Sequence, residues 1–412
     1  MSGLNIKTFS VALVACCLFG CQSPPTPVTS TPVPTVSPVA VATPSSTPAV
    51  SEEATVVGEF EAVTAAYEAI PPELDPGYQV VKPLLEEGFP KVLGDELFSL
   101  SLESAEQQAA FDKEVLPKLK LGFTRPHFFA PEKLKAGEVT VNFRGLRAVV
   151  GLLVERAEQK WSQGKHNEAI DLASLPLSLG KAMGSRPETV SMNLFSSSYS
   201  VSGVALLAEW AVEAKNEPAL REKIAKALNS NAPVFEHVRQ TIVVDFAQLW
   251  NSLLDEEGRK GLGIGTVQES TLNRWKKQVA SIYLVAKGLY DFEPGTVDTL
   301  NERLRTADAP IQGVVIDYPQ VVSMQLHSFA QYKATQLGYA LLGMDRESLL
   351  KAGSEGLIEK VFSDDQGSAE ALKSLLEVKL SGKQLKVTAQ PGRFDLLAPG
   401  EPPIFFQVDL SQ

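Results

Sequence analysis

The sequence predicts a mainly α-helical body of stacked antiparallel helical hairpins, solenoid-like or an irregular bundle, closed by a small C-terminal antiparallel β meander. Three observations carry this. Between Leu146 and Leu289 apolar residues recur at spacings of three and four, the period of one helix face. Short breakers divide those stretches, and short joints set consecutive helices side by side and antiparallel. Beyond about residue 381 the period falls to two between Pro-Gly turns, which reads as strand.

Taken in chain order, residues 1–20 read as a lipoprotein signal peptide: Lys7 precedes an apolar run from Thr8 to Gly20, too short for a permanent membrane span. Leu18-Phe19-Gly20-Cys21 resembles the bacterial lipobox, whose Cys carries fatty chains such as palmitate. Phe19 is larger than that pattern prefers, and Leu13-Val14-Ala15-Cys16 is the alternative, which puts lipidation at Cys21 or, failing that, Cys16. Residues 21–50 then form the lipidated Cys and a tether. Gln22 to Val50 holds eight Pro, eleven Ser or Thr and no charge, a composition that favours polyproline II with a reach of about 90 Å. Gln22 rather than Asp after the Cys points to the outer membrane in a two-membrane organism.

Residues 51–380 read as the helical domain and 381–412 as the meander packed on it. A helix over 53–70 is followed by Pro-rich breakers and shorter helices. Apolar stripes then run from Leu146 to Trp161, Leu172 to Met183, Met192 to Trp210, Phe235 to Leu253 and Leu272 to Leu289. Pro176 lies within the second and predicts a kink there. Leu385–Ala389, Arg393–Leu397 and Ile404–Leu410 read as the three strands, joined by turns at Gln390-Pro391-Gly392 and Ala398-Pro399-Gly400.

Composition excludes several functions. The three Cys all lie within the first 21 of 412 residues, so the body has no disulfide framework, thiolate metal site or Cys nucleophile. Net charge is −11, against the clustered cations that a nucleic-acid partner requires. His127, His166, His237 and His327 stand far apart in sequence, so no local His pair predicts a metal, and no cofactor motif is present. Gly261-x-Gly263-x-Gly265 lacks the spacing of a phosphate-binding turn. Ser196-Ser197-Ser198 lacks the elbow of a hydrolase nucleophile.

Gly164-Lys165-His166-Asn167-Glu168-Ala169 with Ala157 upstream resembles the turn of one tetratricopeptide hairpin, over about 147–180, without a second copy. Gly164-x-His166-x-Glu168 comes near an imelysin-type motif, but its acid is one position early and off the shared helix face. Residues 140–250, with Ser381-Gly382-Lys383 before the strands, resemble uncharacterised planctomycete-type helical proteins. That resemblance implies a fold and no reaction.

Glu209 and Asp245 each interrupt an apolar helical run. A carboxylate there must be paired, protonated or facing a cavity, because burying it bare costs several kcal/mol. Pairing with Arg144, Arg147, Arg156 or Arg239 between packed helices, or simply reaching the surface, is one expectation. The other is a general-acid pair facing a cleft with His237, two turns before Asp245. The leading functional expectation is a lipid-anchored cell-envelope binding or scaffold protein presenting its hairpins to a protein or peptide partner. The alternatives are an envelope-polymer hydrolase or lyase using Glu209 and Asp245, and a solute-binding lipoprotein with a pocket between helices.

Overall fold

The computed structural model describes residues 52–68, 76–86, 88–94, 100–129, 141–185, 188–293, 295–394, 397 and 402–410. The expected signal peptide, Cys16, Cys21 and the tether lie outside them. The chain begins with α1 (Glu52–Glu68) and α2 (Gly77–Glu86), and α3 (Ala105–Ala110) runs through a π turn into α4 (Leu116–Phe123). The long helices α5 (Phe143–Ser162), α6 (His166–Met183) and α7 (Val190–Glu209) follow, then α8 (Ala211–Ala214) and α9 (Pro218–Ser230). Next come α10 (Phe235–Leu254), α11 (Glu256–Gly261), α12 (Glu269–Ala286), α13 (Thr296–Thr306) and α14 (Ala309–Val314). The last helices are α15 (Tyr318–Leu341), α16 (Arg346–Val361) and α17 (Gln366–Leu375), before the sheet. Of the two forms the sequence leaves open, this is the irregular bundle. Helix α15 packs on α7, α9 and the sheet, and α10 on α1, so elements far apart in sequence meet instead of each stacking only on its neighbours.

The five apolar stripes became α5, α6, α7, α10 and α12, each within a few residues of its expected ends. Gly164, at φ 74°, makes the joint between α5 and α6. Across that joint Trp161 stacks on His166 at 4.3 Å and on Trp210 at 4.1 Å, and Lys160 Nζ meets Glu168 Oε2 at 2.7 Å. The near-motif at 164–168 is therefore a hairpin lock. Helix α6 runs through Pro176 as one element to Met183. It meets α7 at close range because glycines face it: a Cβ on Gly180 would lie 1.8 Å from Ser200 Oγ, and one on Gly203 2.3 Å from Ala173 O.

The 24-residue α15 is buried on nearly every turn. It lies against α7 and α9 on one side and the sheet on the other. Several of its polar residues are satisfied inside the bundle: Tyr332 donates from its hydroxyl to Leu228 O at 2.8 Å, and Thr335 Oγ1 to Gln331 O at 3.1 Å. Lys333, 2% exposed, reaches Asp365 Oδ2 at 3.3 Å and lies over the Phe329 and Phe362 rings. Burial lowers its pKa, opposed by Asp365.

The sheet contains two of the three expected strands and replaces the third. Its order is β1 (Leu376–Ser381), β2 (Gln384–Ala389), β3 (Ile404–Asp409), all antiparallel. Leu385–Ala389 is β2 and Ile404–Leu410 is β3 within one residue, but Arg393, Phe394 and Leu397, the described residues of the other expected strand, are not in a strand. They form turns, entered at Gly392 with φ 77°. Arg393 is held there by its Nε bond to Ser374 O at 3.0 Å, and Phe394 is buried against the His327 ring. With β1 and β3 already on its two edges, β2 has no free edge for a third partner. The missing strand lies earlier, where Leu376, Val378 and Leu380 alternate with polar residues and Gly382, at φ 57°, makes the two-residue turn.

The sheet seats on α15 at Gly338, where an added Cβ would fall 2.3–2.5 Å from the Phe406 ring. Gly338→Ala should therefore lower unfolding stability by about 1–3 kcal/mol in urea melts. Gly151→Ala in α5, where nothing lies within 4 Å, should raise it by about 0.5–1 kcal/mol. Equal stability of Gly338→Ala and wild type would mean that β3 is not seated on this helix.

Candidate functional site

A cleft of about 230 Å³ opens between the C-terminal end of α6, the first half of α7, the loop before α10, and α15. Each wall has a local cause. Gly180 and Gly184 leave the α6 side without side-chain bulk, and a Cβ on Gly184 would touch only Gly180 O at 3.4 Å and Ser196 Oγ at 3.6 Å. Asn193, Ser196, Ser197 and Ser200 recur at helical spacing on one face of α7 and form the opposite wall. Phe329 and Tyr332 from α15 supply the aromatic side, joined by Ser328. Ala232, Pro233 and Val234 close the mouth, and His237 stands in the first turn of α10.

The cleft polar groups divide into anchored and open ones. Asn193 Oδ1 accepts from Gln325 Nε2 at 2.8 Å, and Gln325 Nε2 also donates to Thr241 Oγ1 at 3.2 Å. Gln325 Oε1 accepts from the Tyr290 hydroxyl, whose pKa is raised by burial. Asn193 is thereby tied to α10 and α15 through one buried network. Ser196 Oγ donates to Asn193 O at 3.2 Å. His237 has no described hydroxyl within hydrogen-bond distance, so the α7 serines have no base beside them; Ser185, also in the lining, has His127 Nδ1 at 2.9 Å from its Oγ.

The two interrupting carboxylates do not form a pair. Asp245 Oδ1 accepts from Val190 N, at the first residue of α7, at 3.1 Å; its Oδ2 accepts from the Tyr318 hydroxyl, at the start of α15, at 2.9 Å. Glu209 is exposed at the last residue of α7. At 1.5 Å per residue the helix puts the two about 28 Å apart. Neither is matched by the expected arginines: Arg156 clasps Asp112 through Nε at 3.0 Å and a terminal nitrogen at 2.5 Å, and Arg239 meets Asp291 at 3.1 Å. His237 lies two turns before Asp245 on α10, about 12 Å along the axis, and faces the cleft without it.

The remaining histidines are structural. His127 Nδ1 lies 2.9 Å from Ser185 Oγ, His166 stacks in the hairpin lock, and His327 is buried between Phe394 and Phe405. Burial pushes the His327 pKa down to about 4, which keeps it neutral near pH 7. Among the described residues no three His, Asp or Glu side chains converge as metal ligands. None of the described helices is long and apolar enough to cross a membrane.

Comparison with protein-family models, curated proteins and solved structures yields no match. The chemistry of the cleft must therefore be read from its own residues. Sequence reasoning found His237 and Asp245 but not Asn193, Gln325, Ser328 or the cleft itself. The available signal was the face Asn193, Ser196, Ser197, Ser200, opposite Gly180 and Gly184.

Burial raises the Asp245 pKa to about 6 from 3.8, with Tyr318 and the Val190 amide partly opposing it. An acid with a raised folded pKa binds more protons in the folded state between those values, so stability falls as pH rises from about 4 to 6 and then levels. The shift corresponds to a change on the order of 3 kcal/mol. Asp245→Asn removes this titration. Melting temperatures taken between pH 4 and 7 should show the variant gaining on wild type as pH rises, and a constant difference would contradict the assignment.

Proposed function

We propose that the chain is a lipid-anchored, extracytoplasmic binding protein that holds a small solute in the cleft between α6, α7, α10 and α15. The observation that carries this reading is a cavity of about 230 Å³ with an apolar and aromatic side, a few convergent polar groups, and a glycine, Gly184, that leaves room on one wall. That combination is the usual constitution of a small-molecule site. The anchor half of the proposal rests on sequence: the charged and apolar leader, the lipobox-like quartet at Cys21, and the uncharged Pro-rich tether. A tether of that reach would set the binding body well clear of the membrane, the outer one in a two-membrane envelope.

A scaffold for a protein or peptide is less well supported. The exposed large apolar side chains Leu121, Val212, Val234, Leu254 and Leu350 belong to different elements, and such scattered residues do not constitute a docking face. A hydrolase or lyase acting through Glu209 and Asp245 loses its carboxylate pair to the length of α7.

The experiment joins both halves in one full-length protein. Palmitate label should be lost in Cys21→Ala and kept in Cys16→Ala. Melting scans against a small-solute library should find compounds that stabilise wild type but not Gly184→Leu, whose side chain fills the cleft. Solutes that stabilise both proteins equally would place binding elsewhere, and a library without stabilisers would contradict the reading.

A further inference from the structure

Resting on that reading, we infer that the cleft selects a small monocarboxylate with a short apolar or aromatic body. The first ground is charge. In a chain of net charge −11, no residue lining the cleft is acidic, whereas Lys181 stands at its rim and His237 within it. Lys181 Nζ is fixed by its bond to Ser230 O at 2.8 Å.

The second ground is the start of α10. This 20-residue helix opens at Val234 with no side-chain cap, and Val234, His237 and Val238 all border the cleft. Uncapped first-turn amides carry the positive end of the helix dipole and favour an anion. Glu236, in the same turn, is exposed and accepts from Gln240 Nε2 at 3.3 Å along the helix. It does not enter the cleft lining.

Two buried donors point to the same ligand independently. Ser328 is 5% exposed, lines the cleft, and its hydroxyl bonds no other described group. Asn193 is 8% exposed; its Oδ1 is committed to Gln325, which turns the free amide Nδ2 toward the cleft as a donor. A carboxylate can accept from both donors and asks for no acceptor in return.

Size and counter-charge narrow the class. A cavity of about 150 Å³ accommodates benzene, so 230 Å³ takes a ring-sized body together with a carboxylate. Phe329, Pro233 and Val238 offer that body apolar contact. One rim lysine matches a single negative charge; a phosphate dianion is matched by clustered cations.

The test is calorimetric titration of the full chain in detergent with phenylacetate, its neutral isostere phenylacetamide, and inorganic phosphate. Phenylacetate should bind, with phenylacetamide and phosphate each weaker by about tenfold or more. Ser328→Ala should weaken phenylacetate by about tenfold and phenylacetamide, whose carbonyl is a neutral acceptor, by less. Equal binding of acid and amide would overturn the anion claim while leaving a solute cleft standing. Tighter binding of phosphate would overturn the carboxylate class. Absence of binding by all three would overturn this inference, and the Gly184→Leu library comparison would then judge the cleft reading separately.

Discussion

The structure depends on burying one helix, α15, almost completely while satisfying the polar groups it carries. A helix surrounded by protein gains apolar burial on every face, of order 25 cal/mol for each Å² removed from water. It also takes Gln325, His327, Lys333 and Thr335 out of solvent, and each unpartnered group would cost a substantial part of that gain. Gln325 meets this constraint by joining Tyr290, Thr241 and Asn193. Lys333 meets it through Asp365 and two aromatic rings. Those partners belong to elements far apart in sequence, so the arrangement of the bundle is set by what α15 requires.

The cleft follows from the same constraint. Asn193 is held by Gln325, and one turn earlier the N-terminus of α7 is held by Asp245, which also takes the hydroxyl at the start of α15. Helices α7, α10 and α15 are thus tied to one another at the deep end of the cleft. Helix α6 comes close at Gly180 and then diverges toward Gly184 and Ser185. The rigid polar joint orients Asn193 on the cleft wall, and Gly184 leaves room beside it.

Much of the fold is legible in the sequence because exposed helices keep one polar face. Helices α5, α10 and α12 have that form, and their apolar spacing marks them within a few residues. Helix α15 is not legible in the same way. With Val322, Leu326, Phe329 and Leu337 buried alongside Gln325, Ser328 and Lys333, burial on all sides removes the contrast between faces that a 3.6-residue period detects. The alternation Leu376, Val378, Leu380 was readable, but Arg393–Leu397 offered a similar pattern, and only the tertiary seat of Phe394 separates them. At the site, Asp245 stands out as a charge inside an apolar run, although its partners proved to be a tyrosine hydroxyl and a backbone amide. Asn193, Gln325 and Ser328 are ordinary polar residues in helical stretches, and only the packing of distant elements gives them a role.

The central claim is that α15 is the most protected element and opens only when the whole bundle does. Native-state hydrogen exchange resolved to single amides tests this most directly. Amides from about Val322 to Leu337 should exchange with the free energy of global unfolding and with the full denaturant dependence. Exchange of these amides through a smaller, denaturant-insensitive opening, while α5 and α6 remain protected, would contradict it.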